Sequence, residues 1–324
     1  MKQDISVSVI IPAYNAESCL KQCIDSALSQ TVKPVQVIVI NDGSTDHTAE
    51  VAHSYDNQIV YLEQNNQGQG AARNAGLKIA TGKFVAFLDA DDYWLPGFLE
   101  ATTSFLSAHA EAVAVFTRFR KETVSGKSYI YPPILGTEHF LSQGFLLPSL
   151  FKFWAEHDKL QTGAIVVRSQ CLKRIGGMLE DLRISQDLEY WTMIATVGKW
   201  GFIPEPLLVS TSEVVAKRTG RMIKYAQRRK LCPTVEQWER RVESAVASSD
   251  YNYFQVIKGR VASGYAYAKI IGGDWEGARH IIKKYGFILP ETQMKRLLII
   301  GDSMGTIGWK VVCWLLRIRE TLKG

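Results

Sequence analysis

Three aspartates come directly after an apolar run and could bind a cation together. The run covers residues 84–88, and Asp89, Asp91 and Asp92 follow it, with a small alanine between the first two. A short, uncharged, β-prone run predicts a buried strand. Side chains two residues apart on an extended chain point to the same side, so Asp89 and Asp91 suit a hard divalent cation. Such a cation could hold a phosphate in turn, which points to nucleotide-dependent chemistry.

The same aspartates could instead be turn residues or a helix cap. Pro96 suits the N-terminus of a helix, and residues 95–110 are predicted to form that helix. Asp92 could simply belong to the turn before it. The tetrapeptide alone leaves both interpretations open, so the rest of the chain has to decide between them.

Strands and helices alternate over the N-terminal part of the chain. The predicted strands are 7–11, 35–40, 59–63 and 84–88, and the helices between them are 18–29, 45–54 and 70–80. This alternation predicts a parallel sheet with helices on both faces, whose ligands bind at the carboxyl ends of the strands. Polar loops follow three of these strands, at 12–15, 41–46 and 89–92.

Later elements are less regular. Strands are predicted at 112–117 and 161–167, and a helix at 187–197. Pro204 and Pro206 predict that 202–209 is an edge strand or another extended segment. After about residue 215 the pattern becomes helical, with a hairpin of helices at 256–271 and 275–285 and a last helix at 304–322.

Composition narrows the class of protein. The chain has 324 residues, 46% of them hydrophobic, which suffices for one large domain or one domain with an appendage. No uncharged apolar run reaches the roughly 20 residues that span a bilayer. We expect no signal peptide, because the polar start runs straight into a predicted strand. The five scattered cysteines indicate a reducing compartment, so a cytoplasmic location is expected.

The net charge of +6 is concentrated in one segment. Residues 217–230 carry seven basic side chains and no acidic one, so the rest of the chain sums to about −1. A solvated basic helix is one interpretation. An anionic membrane surface or a phosphate-bearing substrate are the others. Nucleic acid is not an expected partner, because no recognisable binding module accompanies the segment.

Four stretches together resemble a known family. They read VSVIIPAYNAE (7–17), VIVINDGSTD (37–46), NNQGQGAARNAGLKIATGKFVAFLDADD (65–92) and GGMLEDLRISQDLEYW (176–191). In order and spacing they are similar to the family 2 glycosyltransferases. The resemblance implies an α/β GT-A fold, Rossmann-like with a mostly parallel sheet, over 1–215. Its nucleotide-binding half would be about 1–110 and its acceptor half about 111–215, with a helical C-terminal extension at 216–324.

The resemblance also implies roles for matching residues. Asp42, presented by the turn at Gly43, would accept a hydrogen bond from a uracil-type base, although that turn could also cap the next helix. Arg73 would reach the ribose or diphosphate, the alternative being a surface arginine. Asp89 would face the ribose, and Asp91 would ligate Mg²⁺ or Mn²⁺, which would stabilise the leaving diphosphate. The base pocket would be lined by Pro12, Ala13, Tyr14 and Asn15.

An inverting transfer also needs a base for the acceptor hydroxyl. In the family an acid-Asp pair supplies it, and here the pair reads Gln186-Asp187, so Asp187 inherits the role. The glutamine removes a like charge, which would make Asp187 a weaker base. A helix N-terminal acid is the alternative for Asp187, and Trp94 and Trp191 could stack on a sugar or pack in the core.

The expected function is inverting transfer of a sugar from a UDP-sugar to a hydroxyl acceptor, a glycan or glycolipid of polysaccharide or lipopolysaccharide assembly. The alternatives are a non-catalytic nucleotide-sugar or glycan-binding module and a metal-dependent nucleotidyltransferase. The tryptophan-bearing basic helix at 304–322 could lie on the cytoplasmic face of an anionic membrane. Packing onto its own domain or a partner is equally compatible with the pattern.

Overall fold

The computed structural model describes residues 5–133, 144–157, 160–212, 214–215 and 231–321. They divide into two compact units. The sheet unit holds the residues up to Glu180 and those from Tyr190 to Thr219, and the helical unit holds Asp181–Glu189 and the residues from Gly220 onward. The whole basic segment 217–230 lies outside the described residues.

The first half of the sheet unit is a parallel α/β arrangement. Strands β1 to β4 lie in the order β3-β2-β1-β4, and every neighbouring pair among them is parallel. The predicted alternation of strands and helices is confirmed. The strands are Val7–Ala13, Gln36–Asp42, Val60–Gln64 and Phe84–Phe87, and helices α1 to α3 are Leu20–Leu28, Thr48–His53 and Gln69–Ile79.

Helices cover both faces of this parallel sheet, as the alternation predicts. A Cβ added to Gly76 of α3 would lie 2.6 Å from Ile10 Cγ2, so that helix packs closely on one face. Val9 and Val39 face the other way, into a core that contains Leu20 and Ile24 of α1. The carboxyl ends of the strands therefore stay at an edge that loops can cover.

The second half of the sheet unit is mixed. Its strand β9 runs antiparallel to both β4 and β6, whereas β6 and β10 are parallel. The strands β5 to β10 are Asp92–Trp94, Ala112–Glu122, Ser128–Tyr131, Phe145–Leu146, Ile165–Arg168 and Lys199–Ser210. The helices α4 to α7 are Phe98–Ala108, Leu150–His157, Ser169–Ile175 and Gln186–Ala195.

Two sequence-based expectations in this half are only partly confirmed. The segment with Pro204 and Pro206 is extended, but β10 is an interior strand between β6 and β5. The register shifts around Pro206 explain this, because a bulge tolerates a residue that cannot donate to the ladder. The strand predicted at 161–167 is shorter than expected. Residues Thr162–Ala164, which include Gly163, form a 3-10 turn, and the strand begins at Ile165.

The helical unit contains the short segment 181–189 and, among its described residues from 231 onward, a series of helices. The predicted hairpin is confirmed: Gly273 turns the chain with φ 96°, and Asp274 caps the next helix by accepting from Gly277 N at 2.8 Å. Within the residues described, no helix combines the length and apolarity needed to cross a bilayer. Helices α8 to α12 are Val235–Glu239, Tyr251–Gly272, Trp275–Tyr285, Gln293–Ser303 and Gly305–Thr321.

Candidate functional site

The loops that follow β1 and β2 are tied together by side-chain hydrogen bonds. Asn15 Oδ1 accepts from Thr45 N at 2.8 Å, and Asn15 N donates to Ser44 Oγ at 2.9 Å. Asn15 has φ 49°, a left-handed conformation that asparagine tolerates better than most residues. Of the predicted base-pocket residues, Pro12 and Ala13 are buried, whereas Tyr14 is 42% exposed. Tyr14 and Asn15 are therefore the members of this group that a ligand can reach.

Asp42 holds the loop that leads into α3. Its Oδ1 accepts from Gln67 N at 2.9 Å and from Gln64 Nε2 at 2.8 Å, and its Oδ2 accepts from Gly68 N at 2.8 Å. The alternative that the turn 42–44 caps the next helix is wrong, because the N-cap of α2 is His47. The loop that Asp42 holds leads to α3 instead. A carboxylate can accept about four hydrogen bonds, and Asp42 accepts the three named here, so it can accept another from a ligand.

Position 43 requires glycine both because of its backbone conformation and because a side chain would not fit there. It has φ 71°, and a Cβ at this position would lie 2.7 Å from Asn66 N, in the same loop that Asp42 holds. Asn41 completes the turn by accepting from Ser44 N at 3.1 Å. The contribution of Asn41 and Gln64 could not be seen in the sequence, because polar residues in these loops give no pairing signal.

Arg73 is buried and paired with Asp89. Its Nη2 lies 2.5 Å from Asp89 Oδ1, and the arginine side chain is 1% exposed. Its Nε and Nη1 have no hydrogen-bond partner among the described residues. Arg73 is therefore not a surface arginine. A buried guanidinium is stable only when a charge compensates it, and Asp89 supplies that charge.

The aspartate cluster is a tight turn that opens β5. Asp92 N donates to Asp89 O at 2.9 Å, so Asp92 is a turn residue as the simpler interpretation holds. Its carboxylate, however, is buried and accepts from Thr211 N and Gln161 Nε2, both at 3.1 Å. Burial, together with the charges of Asp91 and Asp89, raises the pKa of Asp92 well above its ordinary value.

The three carboxylates produce a concentrated negative field. Burial raises the pKa of the Cys23 thiol, and the charges of Asp92, Asp89 and Asp91 raise it further. Carboxylate oxygens are suitable ligands for a hard divalent cation, which would offset this negative charge. In the described ranges, no group of three or more His, Cys, Asp or Glu residues could hold a metal ion. A divalent cation here would therefore be held by one or two carboxylates, with its remaining ligands taken from water or substrate phosphates.

Asn74, next to Arg73, holds a loop that sequence reasoning did not connect with it. Its Nδ2 donates to Met178 O and to Glu180 Oε1, both at 2.9 Å, and its Oδ1 accepts from Met178 N at 2.8 Å. Asn74 and Met178 both lie in stretches that carry the family resemblance, but a span of 104 residues separates them. The sequence shows only an asparagine within a predicted helix, which does not indicate that its partner is Met178.

Asp187 lies in the helical unit, in the first turn of α7, with its Oδ1 accepting from Leu188 N at 2.9 Å. Its assignment as a base stays a prediction. The two tryptophans pack in the core of the sheet unit, since Trp94 is 2% exposed and Trp191 is fully buried. Trp94 Nε1 donates to Gly163 O at 2.6 Å. Sugar stacking by either tryptophan is therefore wrong.

The strand-end loops and the acidic turn agree with a family-level match. A sequence profile described as glycosyl transferase family 2 matches residues 8–172. The chain belongs to glycosyltransferase family 2. It is 33% identical over 214 residues to an uncharacterized glycosyltransferase, RP339, of Rickettsia prowazekii, covering 65% of this chain and 66% of that protein. It is 28% identical over 218 residues to glycosyltransferase GlyA of Streptococcus pneumoniae, covering 66% of this chain and 30% of that protein.

Solved structures support the GT-A fold. S. aureus TarS superposes with a TM-score of 0.62 at 19% identity, over 95% of this chain and 54% of TarS. A shorter form, TarS 1–349 in complex with UDP-GlcNAc, gives a TM-score of 0.52 at 17% identity, over 89% of this chain and 93% of that one. At these identities the likeness concerns the fold. The predicted α/β fold with a helical C-terminal extension is confirmed.

Proposed function

We propose that this family 2 glycosyltransferase transfers a sugar from a UDP-sugar to a hydroxyl acceptor with inversion. The observation that carries the proposal is the buried Arg73–Asp89 pair beside Asp91, at the end of β4 in a parallel sheet. Complexes of TarS 1–349 with UDP and with UDP-GlcNAc support the choice of donor by analogy. Ligands of open parallel sheets bind at this edge.

On the donor side, Tyr14, Asn15 and Asp42 with Gly43 would contact the nucleobase, beside the buried Pro12 and Ala13. Asp89, held by Arg73, would face the ribose. Asp91 would hold Mg²⁺ or Mn²⁺, which when bound would stabilise the negative charge of the leaving diphosphate. Arg73 Nε and Nη1 are buried and have no partner in the described residues, so a small shift of the side chain would let one of them donate a hydrogen bond to an oxygen of the nucleotide-sugar.

On the acceptor side, Asp187 would take the proton of the attacking hydroxyl. It lies in the first turn of α7. Because the hydroxyl attacks from the side opposite the departing diphosphate, a single displacement inverts the sugar carbon. The acceptor class would be a glycan or glycolipid of polysaccharide or lipopolysaccharide assembly.

Nucleotide-sugar binding and turnover can be tested together. Protein with Mn²⁺ and UDP or UDP-sugars would be followed by thermal unfolding and by UDP release on adding acceptor glycans. We expect metal-dependent stabilisation by UDP that disappears in Asp91→Asn. Asp56→Asn is the matched control, because Asp56 is exposed and its φ of 46° also suits asparagine. Stabilisation by nucleoside triphosphates alone would instead support a nucleotidyltransferase, and UDP binding without turnover would support a binding module.

The last helix offers a surface for an anionic membrane. Its Trp309 and Leu316 are buried, so one face packs within the protein. The opposite face exposes Ile307 at 72% and Trp314 at 62%, and Lys310 lies exposed between them. An apolar strip with a tryptophan and a lysine suits the interface of an anionic bilayer. We therefore propose peripheral contact with the cytoplasmic face of such a membrane.

Co-sedimentation with vesicles tests this contact. The protein should bind vesicles that contain phosphatidylglycerol, bind phosphatidylcholine vesicles more weakly, and lose binding in the double variant Ile307→Gln/Trp314→Gln. Val256→Gln is the control, because Val256 is 43% exposed on another helix of the same unit. Unchanged sedimentation of the double variant, or self-association through this face in the absence of lipid, would contradict the proposal.

A further inference from the structure

The segment that carries Asp187 is anchored by a buried ion pair in the helical unit. Glu189, two residues after Asp187, is fully buried, and its two carboxylate oxygens accept from Arg241 Nε and Nη2, the latter at 2.8 Å. Burial raises the pKa of Glu189, and hydrogen bonds from Arg241 act in the opposite direction. A bidentate guanidinium–carboxylate pair sets orientation as well as distance. The pair therefore determines how the first turn of α7 is oriented.

Two further contacts hold the same segment on the other side of Asp187. Arg240 donates from both terminal nitrogens to the two oxygens of Asp181, each at 2.8 Å. The buried Tyr265 donates its hydroxyl to Ile184 O at 3.0 Å. The Arg240 pair is nearly half-exposed and contributes less than a buried one. Tyr265 acts on the backbone itself, close to the start of the helix.

The backbone between these anchors has an unusual conformation. Ser185, two residues before Asp187, has φ 60°, in the left-handed region that serine rarely adopts. Such a conformation persists only where the surrounding contacts determine it. Tyr265 on one side and Arg241 on the other provide those contacts. The direction in which Asp187 leaves the backbone thus depends on Arg241 and Tyr265, which lie 52 and 81 positions beyond their partners Glu189 and Ile184.

We propose that Arg241 and Tyr265 are positioning residues for Asp187. The helical unit is then part of the proton-transfer machinery, in addition to any contact it makes with a membrane. The inference rests on the proposed role of Asp187 as base. It predicts a specific signature: loosening the anchors lowers kcat and leaves donor binding unchanged, because a base displaced by about 1 Å can cost about 100-fold in rate.

The first test uses a pair of tyrosines. Tyr265→Phe removes the hydroxyl that holds Ile184 O, and Tyr285→Phe removes a buried hydroxyl that donates to Glu239, outside the segment. Both variants should lose thermal stability, Tyr265→Phe through its bond to Ile184 O and Tyr285→Phe through its bonds to Glu239 and Glu236. We expect a 3- to 10-fold lower kcat only in Tyr265→Phe, at an unchanged KM for the donor. Equal kcat values in the two variants would overturn the inference.

The second test removes the ion pair. Arg241→Met alone would strand a buried carboxylate, so it is combined with Glu189→Met, because replacing a whole buried pair by apolar side chains often preserves folding. We expect about 10- to 100-fold lower kcat with UDP binding retained, and an intermediate value for Arg241→Lys, which keeps the charge but not the fork. A folded double variant with normal kcat, or with a raised donor KM alone, would contradict positioning.

Asp187→Asn separates this inference from the proposed function. If Asp187→Asn keeps normal transfer, the base assignment itself fails, whatever the anchors do. If Asp187→Asn abolishes transfer and the anchor variants do not lower kcat, only the positioning role fails. In the Asp187→Asn background, Tyr265→Phe should cause no further loss of the residual rate, because residues that act through one group are not additive. An additive further loss would indicate a separate effect and would overturn the inference.

Discussion

The strand-end loops of the sheet unit and the segment 181–189 of the helical unit are both held by polar side chains, but in different ways. In the loops, Asp42 and Asn15 accept hydrogen bonds mainly from backbone N–H groups, and their partners lie within 30 residues. In the segment, Arg241 and Tyr265 reach back over 52 and 81 residues. The loops are therefore a local assembly within the resembling stretches, whereas the segment depends on another part of the chain.

This difference implies that the donor side and the proposed base can be damaged separately. Backbone N–H groups bonded to a carboxylate fix the shape of a loop, so changes there should lower donor affinity and stability together. Long-range anchors fix the placement of one side chain, so changes there should lower turnover and leave donor affinity unchanged.

The largest effect is expected for Asp187→Asn. Without a base for the acceptor hydroxyl, transfer should fall by about 100- to 10,000-fold, while metal-dependent stabilisation by UDP remains. UDP release with acceptor and thermal unfolding with UDP measure the two quantities. Loss of UDP binding in this variant would show that the two regions are not separable.

Asp42→Asn should affect both stability and donor affinity. An amide nitrogen would replace one carboxylate oxygen and face the N–H groups of Gln67 or Gly68, which leaves a buried donor unpaired. We expect about 1 to 3 kcal/mol of lost stability without ligand, measured by denaturant unfolding. UDP affinity should fall at the same time, as measured by calorimetry. Normal stability with weak UDP binding would mean that Asp42 acts only on the nucleobase.

Gly43→Ala tests the same loop through its backbone. Gly43 and Gly97 have similar left-handed conformations, with φ 71° and 89°, but a Cβ at Gly97 would meet nothing within 4 Å. Gly97→Ala should therefore cost about 1 kcal/mol from backbone strain alone. Gly43→Ala should cost more, because its Cβ would also collide with Asn66 N. Equal losses in denaturant unfolding would show that the loop 64–68 can move away.

Acid should weaken the helical unit through Glu236. Burial acts to raise the pKa of Glu236, but hydrogen bonds from Lys284, the backbone, Tyr285 and Thr234 lower it to about 2. A carboxyl group whose pKa is lower in the folded than in the unfolded protein stabilises the fold at pH values above the unfolded-state pKa. This contribution is lost as the pH falls from about 5 to about 2.

Because the pair with Lys284 is partly exposed, we expect a contribution of only about 1 kcal/mol. Glu236→Gln should flatten the fall in stability across this range, as followed by urea unfolding at several pH values. Glu276→Gln, at an exposed position, serves as control. A pH profile unchanged by Glu236→Gln would contradict this assignment.

Local patterns accounted for much of the fold. The alternation of apolar runs and amphipathic stretches predicted β1 to β4 and the helices between them, because side-chain periodicity is a property of neighbouring residues. The interior position of β10 was missed, since Pro204 and Pro206 indicate an edge unless a bulge is known. The partners of Asn74 and Asp92 were missed as well, because contacts over long spans leave no local pattern.

The amino-acid sequence alone determined the acidic turn at the end of a buried strand, the order of the strand-end loops and the family. These follow from residue type and spacing over short distances. Only the tertiary structure decided that Arg73 is buried against Asp89, that Asp42 holds the loop before α3, and that Arg241 pairs with the buried Glu189. The physical reason is that the free-energy contribution of a charged side chain depends on its burial and its partners. Both are set by chain segments that lie far apart in sequence.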